Sequence, residues 1–344
     1  MTTLVYITLS GNDLIRIFEL LNDGQLSQRQ TVSAAGGPSA LAVAPDGKTL
    51  YCSLRASNEL ASFRLEPDGG LRPLGKRPLD ADACYIATDK SGRFLLSAYY
   101  RAGKAAVHRI EPDGSIGPEV CSENTADRAH CIETDASNRF ALVPHPLDAN
   151  SIFLFQFDEE TGQISPNQPA PRLVAPEGLG PRHFVFSLDQ RFVYTSDEDS
   201  SSVTAYHFDK PPASRAQSNQ GGCELRPFQT ISSLPEGFAG DNTCAQIHLH
   251  PTGRTLYVSN RGHESIAVFE VDTESGSIEQ TGWQTTEAVP RVFGIDPSGR
   301  YLLAAGQGTG NVSTYAISPE NGMLSPLNSY EVGTQPMWVL FRQQ

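Results

Sequence analysis

Arg182, His183 and Glu198 stand at the two ends of one stretch, GPRHFVFSLDQRFVYTSDE, residues 180–198. A guanidinium, an imidazole and a carboxylate are the parts of an acid–base site that also binds anions. They act together only if the chain brings both ends to one place. The intervening pattern does this. Residues 182–187 and 192–196 read as two strands, and Leu188-Asp189-Gln190 supplies the turn, so the stretch is a β-hairpin. Its open end carries Arg182 and His183 on one strand and Glu198 just beyond the other.

The same phrase recurs along the chain. An apolar strand, a turn, a basic residue, a second apolar strand, a polar loop and a third strand begin at Ser39, Cys84, His130, Arg182, Ala245 and Arg291. The basic residues after the turns are Lys48, Arg93, Arg139, Arg191, Arg254 and Arg300, about 45 residues apart where nothing is inserted, a blade-like period. An outer strand follows, as in EPDGGLRPL and EPDGSIGPE, which makes four strands per unit. Six units are complete, and the termini supply a seventh: residues 336–341 match a first strand, and residues 4–8, 14–19 and 26–31 match the other three. The expected fold is all-β: a seven-bladed β-propeller with four-stranded blades, one domain over residues 1–344. One blade built from both termini closes the ring and removes the free edges. A β-sandwich or two stacked barrels fit the repeat phase and the split termini less well. The insertion at 210–242 breaks the rhythm. Part of it must be the outer strand of the fourth copy, the polar run 214–222 reads as a solvated loop, and residues 238–242 are candidates to cover a channel mouth.

In a propeller the first strands line the channel and start at one mouth, and the second strands end there. Nine residues before each anchoring basic residue stand Ser39, Cys84, His130, Arg182, Ala245 and Arg291. Seven residues after it stand Arg55, Tyr100, Pro146, Glu198, Arg261 and Gln307. Four arginines, one glutamate and one histidine therefore share one mouth, a positive cluster in a protein of net charge -13. Forked arginine donors suit phosphate or carboxylate, and a low-dielectric funnel focuses their field. Arg55, Arg261, Arg291, His183, Tyr100 and Gln307 are candidate substrate-binding residues. Singly, each reads as well as a structural ion pair, a loop cap or a satisfied core histidine; their shared phase sets them apart. His248 and His250 lie two apart, but no carboxylate or cysteine at ligand spacing joins them, so no metal site is expected. The glycines of residues 306–310 sit between two strands and read as a hairpin loop, not a nucleotide loop. There is no GxSxG elbow.

Hydrophobic residues at 39% and charged residues at 19% exclude a disordered chain. The acidic balance argues against nucleic acid or an anionic membrane as partner. Cysteines at 52, 84, 121, 131, 223 and 244 form no CxxC pair, the first residues lack a signal peptide's pattern, and no apolar run reaches the length of a membrane span. A soluble, cytoplasmic protein with reduced thiols is the expectation.

With GPRHFVF (180–186), HPTGRTLYVSNR (250–261), PRVFGIDPSGRYLLAAGQ (290–307) and QPMWV (335–339), the chain resembles the lactonase family of seven-bladed propellers over its whole length. That family includes bacterial 6-phosphogluconolactonases, the closer match in AAGQ and PMWV, and fungal carboxymuconate cyclases. The cyclase branch uses a histidine, two arginines and a glutamate at the mouth; His130, Arg182, Glu198 and Arg261 match them. Cys131 departs from the small polar residue that the bacterial lactonases tend to have after that histidine. The resemblance implies hydrolysis of 6-phospho-D-glucono-1,5-lactone to 6-phosphogluconate, with no cofactor. Glu198 would be the general base and His130 its proton partner, roles that are interchangeable. Arg182 would stabilise the oxyanion. Arg261, helped by Arg55 or Arg291, would hold the phosphate. The alternatives are a carboxymuconate-type cyclase or other sugar lactonase, and a non-catalytic binding propeller, which would show an apolar exposed face.

Overall fold

A computed structural model describes residues 2–211 and 221–344; most of the polar run at 214–222 lies outside the described residues. Among the described residues there are seven antiparallel sheets, and their inner strands neighbour one another around a ring. Blade 1 comprises Pro38–Val43, Thr49–Leu54, Glu59–Leu65 and Leu71–Pro78. Blade 2 comprises Ala83–Thr88, Phe94–Tyr99, Lys104–Ile110 and Ile116–Asn124. Blade 4 comprises Pro181–Phe186, Phe192–Asp197, Ser202–Asp209 and Glu224–Ser232, so the insertion does supply the outer strand. Blades 5 and 6 start at Cys244–Leu249 and Pro290–Ile295. In blade 7 the C-terminal Pro336–Gln343 is the inner strand and pairs with Thr3–Leu9, which pairs in turn with Leu14–Leu20. The termini thus close the ring as the repeat phase requires.

Blade 3 departs from the pattern. Its inner strand shrinks to Glu133–Thr134, and its outer strand is split into Ile164–Pro166 and Arg172–Val174. His130 keeps one tie to the second strand, its amide donating to the Pro144 carbonyl at 3.0 Å.

The second strands explain why the sequence reads as it does. Thr49–Leu54, Phe94–Tyr99, Phe192–Asp197 and Thr255–Asn260 are buried at every position. Each is covered on both faces by neighbouring blades, so near-continuous apolar runs replace strict alternation. The turns before them are fastened by side chains. The Asp89 carboxylate accepts from the Phe94 amide at 2.8 Å and Asp296 from Tyr301 at 2.7 Å. Ser187 does the same for Phe192 at 3.0 Å. These short polar side chains satisfy backbone donors that a tight turn leaves open.

Residues 238–242 lie along the rim between blades 4 and 5. The Phe238 ring meets the His263 ring edge-on at 4.9 Å. The Asn242 amide donates to Ser201 and Asn260, and its carbonyl accepts from the His263 amide. Among the described residues, no helix is long and apolar enough to cross a membrane.

Candidate active site

Two backbone devices deliver side chains to the mouth. The first is a β-bulge at the start of the inner strand. In blade 4 Pro181 pairs with Asp197 and His183 with Ser196, which leaves Arg182 unmatched. Cys84, Arg291 and Met337 are left unmatched in the same way in blades 2, 6 and 7. The slip spans Ser39-Ala40 in blade 1 and Ala245-Gln246 in blade 5. A bulge breaks the two-residue alternation and re-aims what it carries. Consecutive residues therefore both reach the channel: Arg182 with His183, Arg291 with Val292, and Met337 with Trp338, beside Ser39, Cys84, His130 and Gln246. The second device is a clamp at the end of the second strand. The amides of Arg55, Glu198, Arg261 and Gln307 donate to the carbonyls of Gly37, Gly180, Thr243 and Val289 at 2.7–3.0 Å. Each acceptor lies just ahead of the bulge in its own blade. This brings the two sequence-derived sets of residues together.

Glu198 lies between two guanidiniums. Arg261 Nη2 donates to Glu198 Oε1 at 2.5 Å and to the Cys244 carbonyl at 2.9 Å. Arg182 Nε stands 3.2 Å from Glu198 Oε2, close enough for an ion pair. That contact is poorly aligned for a hydrogen bond, so Arg182 Nε, Glu198 Oε2 and Arg261 Nε are buried without partners. Arg182 is 1% exposed, and its Nη1 donates to the Ala245 carbonyl at 2.8 Å. Burial alone would raise the Glu198 pKa, but Arg182 and Arg261 outweigh it and hold the carboxyl below its ordinary range. Burial and the neighbouring arginines pull Arg291 down to about 10, still cationic at neutral pH. Among the described residues the Arg291 guanidinium has neither an ion pair nor a hydrogen bond, so it is a fork with its donors free.

His130 and His183 form a second unit. His130 Nδ1 and His183 Nε2 are 3.1 Å apart, so one ring nitrogen must carry the shared hydrogen and the other must accept it. Burial first, and then Arg182, push both imidazoles well below their ordinary pKa, so both are neutral at pH 7. Tyr100 meets the His130 ring edge-on at 5.4 Å. Behind His183, the Tyr85 ring stands edge-on at 5.2 Å, and its hydroxyl donates to Glu133.

Not every expected residue joins this group. Arg55 and Gln307 line a cleft of about 840 Å³ beside it. Arg55 is tied to Asp82 Oδ2 through Nε at 3.0 Å and Nη2 at 2.6 Å. Counting spacing gave one residue at the start of each complete unit's inner strand and passed over Gln246, Met337 and Trp338 as site residues. Gln246 follows Ala245 as His183 follows Arg182, a signal that was there to use. Its Oε1 accepts from the Phe293 amide at 2.9 Å and so ties blades 5 and 6 together. Trp338 packs against Tyr85 and the cores of several blades and floors the channel. His248 and His250 diverge: the His248 ring meets Phe293 edge-on, while His250 lies past the strand end and bonds Thr252 and the Gly299 carbonyl. Among the described residues, no three His, Cys, Asp or Glu side chains cluster as metal ligands.

The model of a family described as "Lactonase, 7-bladed beta-propeller" matches residues 5–341. A curated 6-phosphogluconolactonase of Erwinia tasmaniensis is 33% identical over 343 residues, covering 100% of this chain and 99% of that one. One of Pectobacterium carotovorum is 33% identical over 339 residues, 98% of each. Among solved structures, the periplasmic gluconolactonase of Pseudomonas aeruginosa superposes with a TM-score of 0.89 at 26% identity, covering 99% of both chains. A protein from Lactobacillus plantarum shares the fold with a TM-score of 0.87 at 23% identity over the full length of both.

Proposed function

The chain belongs to the seven-bladed β-propeller lactonases, and from that premise we propose that it hydrolyses 6-phospho-D-glucono-1,5-lactone to 6-phosphogluconate, a step of the pentose phosphate pathway. The substrate is that of the full-length relatives. The observation that carries the reading is Glu198, an ionised carboxylate at the mouth, pinned by Arg182 and Arg261 and with its side chain 15% exposed.

Hydrolysis of a lactone needs a water aimed at the carbonyl carbon, a proton acceptor for it, and positive charge where the oxyanion develops. The Glu198 carboxylate accepts the proton of the attacking water. Its depressed pKa makes it a weak base, which suits a strained, already reactive cyclic ester. It is also ionised at every physiological pH. Arg182 and Arg291 supply the charge for the oxyanion, and the free fork of Arg291 can turn to meet it. As the tetrahedral intermediate collapses, the ring oxygen leaves and needs a proton. An outer N–H of the His130–His183 pair protonates it, the shared hydrogen crosses to refill that ring, and the proton that Glu198 took from water goes to the other ring. Side chains and water complete the cycle. Six free thiols support a reducing, cytoplasmic setting.

The test is proton release from freshly made 6-phosphogluconolactone, corrected for spontaneous hydrolysis, with wild type and Glu198→Gln. Gln keeps the shape and loses the base, so kcat should fall by about two to four orders of magnitude. A wild type no faster than buffer would overturn the function. A fully active Glu198→Gln would hand the base role to His130.

A further inference from the structure

The channel pocket around His130, Arg182 and Arg291 has a cavity volume of about 10 Å³, room for about one water. A sugar lactone cannot sink into it. Ser39 and Met337 line this pocket and also the neighbouring cleft of about 840 Å³, so the two share a wall. Burial, then Arg261 and Arg55, which lies on the cleft, lower the Arg291 pKa. A substrate whose carbonyl meets Arg291 can lay the rest of its ring and its exocyclic arm in this cleft.

The charges in the cleft are unequal. Arg55 is neutralised by Asp82, which takes two of its donors and fixes its plane. Arg101 also lines the cleft, is exposed, and makes no ion pair or side-chain hydrogen bond among the described residues. It is the cleft's uncompensated cation. Arg261, by contrast, has its Nη2 engaged by Glu198 and the Cys244 carbonyl.

We propose that Arg101 is the specificity residue for the phosphoryl group: it binds the substrate's phosphomonoester dianion in the cleft lined by blades 6, 7, 1 and 2, with the anchored Arg55 as second donor. This rests on the lactonase reading and adds which end of the substrate lies where. A free guanidinium offers a phosphate two parallel donors and has no existing partner to give up. Neither the fold nor the reacting group depends on it, so its removal separates binding of the phosphate from catalysis.

The experiment compares Arg101→Gln and Arg101→Lys with wild type on 6-phosphogluconolactone and on unphosphorylated glucono-1,5-lactone. On the phosphorylated substrate Arg101→Gln should lower kcat/KM by about tenfold to a hundredfold, through KM, with partial recovery in Arg101→Lys. On the unphosphorylated lactone both variants should match wild type. Titration of 6-phosphogluconate by calorimetry should show the same loss of affinity without any turnover. Equal losses on both lactones, or no loss on either, would overturn the assignment. So would a wild type that turns over both lactones with equal kcat/KM, a result that leaves the lactonase reading standing. A wild type that hydrolyses neither lactone sinks the lactonase reading instead. The calorimetric titration still decides Arg101 in that case: undiminished binding by Arg101→Gln overturns it.

Discussion

Arg261 illustrates how a side chain's role follows from its partners. Spacing places it at an anion-binding mouth, and the family resemblance then implies a phosphate clamp, as a free arginine there would be. In the structure its Nη2 is spent on Glu198 Oε1 and the Cys244 carbonyl. Its removal would leave Glu198 held from one side and let the carboxylate rotate away from the attacking water. Arg261→Ala should therefore lower kcat by about tenfold or more on phosphorylated and unphosphorylated lactones alike. A loss confined to the phosphorylated substrate would return Arg261 to the clamp role. The two imidazoles set a second expectation. Burial, then Arg182, push the pKa of His130 and of His183 well below the ordinary histidine value, and Glu198 is held below the ordinary carboxyl value. None of the three changes charge near pH 6.5. On unphosphorylated glucono-1,5-lactone, which carries no phosphate titrating near pH 6, the pH profile of kcat/KM, corrected for spontaneous hydrolysis, should be flat from pH 6 to 7.5, and an acid limb centred near 6.5 would count against a neutral histidine pair.

The element that makes the site is the bulged start of the inner strand, and its backbone carries strain. Two residues ahead of the mouth position, Gly37 and Gly180 take positive φ, which glycine does freely. Arg128, Val289 and Gln335 hold the same left-handed conformation without being glycine. Val289, at φ 55°, is β-branched and suits that region least. Its carbonyl accepts from the amides of Arg291 at 2.7 Å and Gln307 at 2.9 Å, so the strained residue is the one that aims Arg291. Val289→Gly should raise stability by about 1 kcal/mol in a denaturant melt; a drop would show that the Val289 side chain matters more than its backbone. This element also marks where sequence reasoning stopped. The hairpins, the four-strand unit, the shared blade and the meeting of Arg182 with Glu198 were legible, because turn chemistry and apolar runs repeat. The bulge was not, since it has no residue signature of its own. The pocket neighbours Gln246, Met337 and Trp338 went unnoticed for that reason. Arg101 went unnoticed because it lies one residue outside the counted phase, on a loop whose shape the repeat does not fix.

At the scale of the whole ring, closure and burial govern stability. Thr3–Leu9 is held between Leu14–Leu20 and Pro336–Gln343, so residues from both termini complete one sheet. Deleting residues 335–344 exposes an inner edge and the channel floor at Trp338. Cooperative melting should be lost, and a truncated chain that melts like the parent would count against closure by the termini. Acid should also weaken the ring, and the sign can be worked out. Burial depresses His108, His145 and His248 to about 4 in the fold, and His130 and His183 also lie well below the unfolded value of about 6.5. Below pH 6.5 the unfolded chain binds protons that the folded chain refuses, so stability falls as pH drops through that window. Asp197 acts the other way. It is fully buried with, among the described residues, only the hydroxyls of Thr195, Ser202 and Thr204 as donors, and burial raises it to about 7. Its neutral form is favoured in the fold, so its contribution grows as pH falls from 7 toward 4; the partly buried Asp199 is raised as well. Five imidazoles outnumber these two carboxyls, and each excess proton is worth about 1.4 kcal/mol per pH unit. The Tm should therefore drop between pH 7 and 5. Asp197→Asn keeps the shape and removes a counterweight, so its Tm should drop more steeply with acid than that of wild type. An identical slope would mean that Asp197 is already ionised in the folded protein.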